Sequence, residues 1–399
     1  MKIWEQTIVA NFNKVGDFFS PLDSLRATQY KKEKIEYKKN IKPNFYTKTI
    51  CVDIETDGLD FKSCNIEGVG ISFNNTEYIW LDEPTIIKDI LKEALEMASI
   101  VVFHNARFDV FILERIYEIY ISRFKIRDTM LLSYVLEPGN DSHSLKHLAK
   151  QHLNIVMEDY ESAVNTNNLS QYCIKDCHYT LELFRELFNK IDKNLIPILR
   201  LEHQVLEVLL FLDKQTFIVD MIELDRVEED IKTKIESYTT TAKQIAGNEI
   251  NLNSPNQLLA TIHRLCPDLD IKSTDYDTIA QHRNEHMFIN LLYQIKREQS
   301  KIGNSVKQLR ANTDVNSQLK VNLIQIATRT GRLASRNPNL QNIPKATRKA
   351  VKPKPGYSFV SIDYSQCELR ILASLSGEPT LLDAFNNSSD PHAEVTAKL

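Results

Sequence analysis

Short β-rich runs and longer stretches with a helical period divide this chain into regions of different fold class. Residues 1–45 end in a charged run, Lys31-Lys32-Glu33-Lys34 followed by Lys38 and Lys39, which predicts a solvated linker or an exposed helix. From Thr47 the runs TICVDI, GVGISF and EYIWL, separated by Gly and Asn turns, predict three consecutive strands. Ile87, Ile90, Leu91, Ala94, Leu95 and Ala98 then recur at the 3.6-residue period of an amphipathic helix, and SIVVF after them predicts a buried strand. The order is β-β-β-α-β-α. Helical periodicity dominates from about Leu131, around Leu145 to Leu153 and from Leu169 to Ile191. The result is an N-terminal extension over 1–45 and one α/β domain over 46–195.

Residues 196–310 predict long helices and no sheet. One helix begins at Asn253-Ser254-Pro255, where Ser254 can cap and Pro255 suits the first helical position. A strand pattern returns in YSFVSID, Tyr357 to Asp363. The helical pattern QCELRILASLSG follows, with Gly377 as its stop. A new α/β unit starts there. The chain shows no internal repeat and no low-complexity stretch.

A length of 399 residues suggests two or three domains. The net charge of −4 hides a local asymmetry: residues 296–354 hold fourteen Lys or Arg against only Glu298 and Asp314, a local +12. An anionic partner is expected at that stretch. The six cysteines have no repeated spacing, so they read as reduced and cytosolic, without zinc. No apolar run approaches the roughly 18 residues of a membrane span, and no hydrophobic signal core opens the chain. A soluble, cytoplasmic protein with no membrane partner is expected.

Candidate chemistry begins in CVDIETD. Asp53 and Glu55 lie two apart on a predicted strand, so both side chains leave the same face. Two adjacent carboxylates repel at neutral pH unless cations lie between them, which points to Mg²⁺ or Mn²⁺. VVFHNARFDVFIL runs from a buried strand into a helix and places Asp109 on its first turn. In YCIKD, Tyr172 and Asp176 are four apart on a helix and share a face. Each element is weak alone, but D-x-E, H-N-x-x-F-D and Y-x-x-x-D in that order are highly specific. His104 reads as a structural residue at a strand end. Gly68 and Gly70 in EGVGIS are not a nucleotide loop, since no helix with a third glycine follows; they read as backbone fits between strands.

On these motifs, residues 47–192 resemble the DEDD exonuclease superfamily in its tyrosine-bearing branch, found in family A DNA polymerases and RNase D-like enzymes. The resemblance implies a ribonuclease H-like α/β domain with two Mg²⁺ or Mn²⁺ ions. Asp53, Glu55 and Asp176 would hold one ion, Asp53 and Asp109 the other, and Tyr172 would orient the attacking water. Asn105 would help position the DNA strand. The reaction is hydrolysis of a terminal phosphodiester at a single-stranded 3′ end, by in-line displacement between ions about 4 Å apart.

The helical middle contains KREQSKIGNSVKQLR, then TRTGRLASRNPNLQNIP and RKAVKPK. Lys and Arg attract phosphates, and Asn and Gln can bond sugars and base edges. T-G-R-L-x-S-x-x-P-N-L-Q-N-I-P resembles the segment joining thumb and palm in family A polymerases. FVSIDYSQCELRILASLSGEP resembles the first carboxylate motif of that palm, and PHAEVTAKL the following helix. The resemblance implies a mostly α-helical thumb over 196–345 and the start of an α+β palm over 346–399. Arg332, Asn339, Gln341 and Asn342 would contact primer-template DNA. Asp363, ending a buried strand, would bind both catalytic metals with the Tyr364 carbonyl. Gln366 and Glu368 would face the nucleotide, Glu368 excluding a ribose 2′-OH. Two positions depart from the pattern: Thr216 stands where the family usually has glycine, and Cys367 replaces an aliphatic residue.

The family's fingers and its His-Asp-Glu motif would lie beyond Leu399, so this chain is not expected to polymerise alone, and 45 leading residues leave no room for a 5′ nuclease domain. Three readings stay open. The chain could be the N-terminal part of a polymerase completed by a second chain carrying fingers and remaining palm. It could be a free-standing 3′-5′ exonuclease with a DNA-binding thumb remnant, or a non-enzymatic nucleic-acid-binding factor. The abundance of Lys, Asn and Ile suits an AT-rich genome, in a bacterial or phage-infected cell.

Overall fold

Alternation along one central strand organises the N-terminal sheet of this computed structural model, which describes residues 34–43, 46–121, 125–247, 249–387 and 393. The strands are Lys38–Lys39 (β1), Thr49–Thr56 (β2), Ile66–Phe73 (β3), Glu77–Leu81 (β4), Ile100–Phe103 (β5) and Ile126–Asp128 (β6). They form a six-stranded mixed sheet of order β1-β4-β3-β2-β5-β6. β2 is antiparallel to β3 and parallel to β5. The helices of this region are Pro84–Met97 (α1), Ala106–Tyr117 (α2), Thr129–Leu136 (α3), Leu145–Leu148 (α4), Tyr160–Asn165 (α5), Leu169–Lys190 (α6) and Ile196–Asp213 (α7).

The even residues of β2, Ile50, Val52 and Ile54, enter a core with Ile87 and Leu91 of α1 and Val110 and Ile112 of α2. The odd residue Cys51 enters the opposite core with Cys177, Leu181 and Phe184 of α6. Since side chains alternate along a strand, Asp53 and Glu55 lie on the α6 side. Gly70, paired with Asp53, explains how close α6 comes: a Cβ there would sit 2.8 Å from Cys173 Sγ and 3.1 Å from Cys177 Sγ. At Gly68, paired with Glu55, it would run into the Trp80 ring at 2.1 Å.

Two strands differ from the sequence expectation. β1 lies within the expected linker: Lys38 and Lys39 pair with Ile79 and Trp80 of β4, and their ammonium groups meet Glu77 at 2.5 Å and Asp82 at 2.7 Å. Ile35 is buried against Tyr78 and Ile174. A two-residue edge strand of lysines carries no apolar signature, because charged edges are how sheets are commonly closed off. The expected linker therefore joins the sheet at Lys38–Lys39 with Ile35 buried ahead of it, while residues before Lys34 lie outside the described residues. β6 is three residues long and was hidden by the helix that follows it.

Beyond α7 the helices Met221–Ala246 (α8), Pro255–Leu265 (α9), Tyr276–Gln281 (α10) and Met287–Lys301 (α11) enclose a third core of Leu258, Ile262, Ile279, Phe288 and Leu292. Ser254 Oγ accepts the Gln257 N–H at the start of α9, with Pro255 at the first helical position. The expectation of no sheet here is corrected by Thr216–Val219 (β7), antiparallel to Gln318–Lys320 (β8). Its partner lies about a hundred residues away, so no local pattern announces it. Lys307–Asn312 (α12), the antiparallel pair Leu323–Ile324 (β9) and Ala334–Ser335 (β10), and Lys345–Arg348 (α13) complete the unit Met1–Val351.

The second compact unit is Lys352–Leu399. It contains Cys367–Ser376 (α14), stopped by Gly377 at φ 67°, and Pro379–Asn386 (α15). The strand expected over Tyr357–Asp363 is not formed: these residues are irregular, and Val360 and Ile362 are 80% and 88% exposed. A buried strand needs neighbours to take its N–H and C=O groups, and the described residues of this unit supply none. PHAEVTAKL, apart from Ala393, lies outside the described residues. Among the described residues no helix is long and apolar enough to cross a membrane.

Candidate metal and nucleic-acid sites

Three elements bring the predicted acids together. β2 supplies Asp53 and Glu55, the first turn of α2 supplies Asp109, and α6 supplies Tyr172 and Asp176. Pairing of β2 with β5 ends at Cys51, and beyond it the Ile54 N–H donates to Asp109 Oδ1 at 3.1 Å, fixing α2 against the strand end. Tyr172 and Asp176 share a face of α6, as their four-residue spacing sets. Glu55, Asp109 and Asp176 are only 7%, 3% and 9% exposed. Glu55 has no hydrogen-bond donor among the described residues.

Electrostatics give this cluster its character. Burial drives every acid upward, and neighbouring carboxylates add to it at Glu55, Asp109 and Asp176. Asp53 rises to about 7, against the pull of the Cys173 thiol. Glu55 rises to about 10, through burial and then Asp53, Asp176 and Asp109. Asp109 and Asp176 are raised well above the usual carboxylate range by burial and by Asp53, with Lys146 opposing at Asp176. The Tyr172 phenol is also pushed up, by burial and then Asp176, Glu55 and Asp53, so it stays protonated. Carboxylates that cannot ionise together in isolation, offering many oxygens and one unmatched buried group, fit hard divalent cations. Such cations reverse the local charge balance.

The support beneath Asp109 was not legible in the sequence. Asp128, at the end of β6, accepts the N–H groups of Asn105 at 3.0 Å and Ala106 at 2.8 Å, and caps α3 through the Met130 N–H. Its own N–H donates to His203 Nε2 on α7 at 3.1 Å. Asn105 adopts left-handed backbone, φ 68°, a conformation that asparagine tolerates better than most residues. His104 Nδ1 meets the Thr129 hydroxyl at 2.8 Å. Two further side chains border the acids without any sequence signal: Lys146 lies 5.2 Å above the Tyr172 ring, and Tyr160 of α5 stacks edge-on against it at 6.0 Å.

The basic stretch is tied to the α/β domain. Arg107 of α2 forms a bidentate pair with Asp213 of α7, at 2.7 and 2.6 Å, and also donates to the Leu323 carbonyl. The Tyr134 hydroxyl donates to the Thr328 carbonyl at 2.8 Å and accepts the Gly331 N–H at 3.1 Å. Arg332, Gln341 and Asn342 are exposed on this loop, whose shape is set internally: Ser335 Oγ donates to the Pro338 carbonyl and accepts the Leu340 N–H, and Gln341 donates to the Leu333 carbonyl. Asn339 Oδ1 is buried without a partner among the described residues. Part of the +12 is matched, since Arg310 pairs with Asp225 and Glu228.

The polymerase-type residues are placed differently from the sequence expectation. Asp363 and Tyr364 lie exposed on irregular chain and not at the end of a buried strand. Gln366, at φ 50°, precedes the first turn of α14, which carries the exposed Glu368. No group of acids assembles around Asp363 among the described residues.

Comparison with known proteins follows the same division. Residues 29–192 match the family model described as 3′-5′ exonuclease, and residues 221–399 that of DNA polymerase family A. The chain is 33% identical to the DNA polymerase I of Synechocystis sp., over 91% of this chain and 40% of that protein. It is 30% identical to the DNA polymerase I of Borreliella burgdorferi, over 88% of this chain and 42% of that protein. It thus spans about two fifths of the length of these curated relatives. Its fold is similar to that of the POL domain of Pol1 from M. smegmatis, solved in complex with DNA primer-template and dNTP, with a TM-score of 0.70 at 24% identity, over 88% of this chain and 63% of that one.

Proposed function

We propose that this chain, whose residues 29–192 match the model described as 3′-5′ exonuclease and residues 221–399 that of DNA polymerase family A, trims DNA from the 3′ end with divalent metal ions held by Asp53, Glu55, Asp109 and Asp176. The observation that carries this reading is the convergence of four carboxylates from three elements, all raised by burial, with Glu55 lacking a donor among the described residues. Bound Mg²⁺ or Mn²⁺ would supply a nucleophilic water at neutral pH and stabilise the departing 3′ oxygen. Asp53, between the other acids, would serve both ions, Glu55 and Asp176 one, and Asp109 the second. Tyr172, kept protonated by burial and by Asp176, would orient the water by its hydroxyl. Lys146 and the half-exposed Tyr160 flank the opening, where a phosphate and a base can be met. The fold that supports this site is ribonuclease H-like in this reading.

The helices of residues 196–345 would form the thumb, with Arg332, Asn339, Gln341 and Asn342 against primer-template, and residues 346–399 the beginning of a palm. Asp363 with Tyr364, Gln366 and Glu368 would enter a polymerising site once a second chain supplies fingers and further palm carboxylates. What supports this is the exposed apolar stretch of Tyr357, Val360 and Ile362, which suits strand neighbours. Asp53→Ala and Asp176→Ala should each abolish Mg²⁺-dependent release of 3′ nucleotides. Trimming that survives either change would refute the assignment. Primer extension on mixing with a candidate second half tests the polymerase reading, and no gain would count against it.

A further inference from the structure

Cys173 follows Tyr172 on α6 and has no part in the metal assignment above. Its Sγ lies 3.2 Å from Asp53 Oδ2. Sγ, an Asp53 oxygen and a Glu55 oxygen all fall within 4.8 Å of one another. Donors around one cation, with bonds of about 2.0–2.3 Å, are separated by roughly 3–4.5 Å. A single ion with small side-chain adjustment can therefore touch all three. Glu55 is the further sign of a ligand: the residue is only 7% exposed, its carboxylate has no donor among the described residues, and one of its oxygens is among the three groups that converge here.

The geometry points to a mixed oxygen–sulfur site, Asp53, Glu55 and Cys173, for one thiophilic divalent cation of the Zn²⁺ or Cd²⁺ class. It rests on the reading of these acids as a cation site and adds a selectivity that they alone would not have. Mg²⁺ is hard and takes oxygen, leaving the thiol protonated as a donor to Asp53. A thiophilic ion forms a metal–sulfur bond as the thiol proton leaves to solvent, with no change of oxidation state. It is then drawn toward α6 and occupies the position shared by Asp53 and Glu55, competing with Mg²⁺. The exonuclease is accordingly inhibited by zinc or cadmium at concentrations far below those of the magnesium it works with.

The test uses the whole chain freed of Mg²⁺ and titrated with Cd²⁺ while thiolate-to-cadmium charge-transfer absorption is followed. The expected result is a band saturating at one ion per chain, retained in Cys177→Ser and absent in both Asp53→Asn and Cys173→Ser. Cadmium-edge X-ray absorption of the unaltered chain should show one sulfur among oxygens, independently of how any variant folds. Oxygen-only coordination, or a band unchanged in Cys173→Ser, overturns the mixed site. Intact trimming that requires Asp53 and Asp176, with no sulfur bound, removes this inference alone. A cadmium–sulfur band without any such trimming removes the exonuclease reading and leaves the metal site.

Discussion

Asp53 and Glu55 hold protons in the metal-free fold that they would release in the unfolded chain, where carboxylates titrate near pH 4. Their folded values are raised, to about 7 and about 10, so the associated stability is present in full below about pH 4. It is lost as pH rises through those folded values. Melting of the metal-free protein should therefore fall as pH rises from about 5 to about 8, and Mg²⁺ or Mn²⁺ should raise the melting temperature more at the higher pH. Equal metal-induced shifts at both pH values, by scanning calorimetry, would contradict this. Tyr172→Phe removes the orienting hydroxyl while leaving the carboxylates, so kcat should drop on the order of a hundredfold with metal affinity nearly kept. A fall in metal affinity instead would make Tyr172 structural. Asp53, Glu55, Asp109, Tyr172 and Asp176 were legible in the sequence because strand and helix periods fix their relative faces. Asp128 and Lys146 were not, since each acts across a tertiary contact that no spacing encodes.

At the scale of elements, the site depends on how closely α6 approaches the sheet. Gly70→Val would drive a side chain into Cys173 and Cys177, and should cost about 1–3 kcal/mol of stability and much of the trimming activity. Unchanged denaturant midpoint and activity would show that α6 is not held by this fit. Arg107 binds Asp213, whose side chain is almost fully buried, and sits two residues before Asp109. Arg107→Ala leaves a buried carboxylate whose remaining cation among the described residues is Lys62, at 3.8 Å, and should destabilise by about 3–5 kcal/mol. Urea unfolding measures it, and a loss below about 1 kcal/mol would place the pair among weak surface contacts. The strands rich in β-branched residues were readable from alternation alone. β1, β6 and β7 were not: they are two to four residues long and form only because a distant partner takes their backbone groups. The run Tyr357–Asp363 is the reverse case, a strong strand pattern left unpaired within its unit.

For the whole molecule, the proposed function has the basic stretch of residues 296–354 and the acid cluster act on the same polyanion. Binding of a primer-template should weaken steeply with salt, and Arg332→Ala should lower the slope of log K against log salt by about one if this side chain meets a phosphate or its counterions. An unchanged slope in filter or anisotropy titrations would remove Arg332 from the DNA contact. The likeness to exonuclease and family A polymerase sequences was legible because long ordered motifs survive where single residues do not. The state of the Asp363 region was not, because a motif records the residues of a site and not the neighbours that would assemble it. The most direct measurement is release of nucleotides from a 3′-labelled single strand by the purified chain, with and without Mg²⁺, beside Asp53→Ala and Asp176→Ala. Trimming should require the ion and vanish in both variants while each still melts cooperatively; activity that persists in either variant, or without any divalent ion, would contradict a metal-dependent exonuclease at this site.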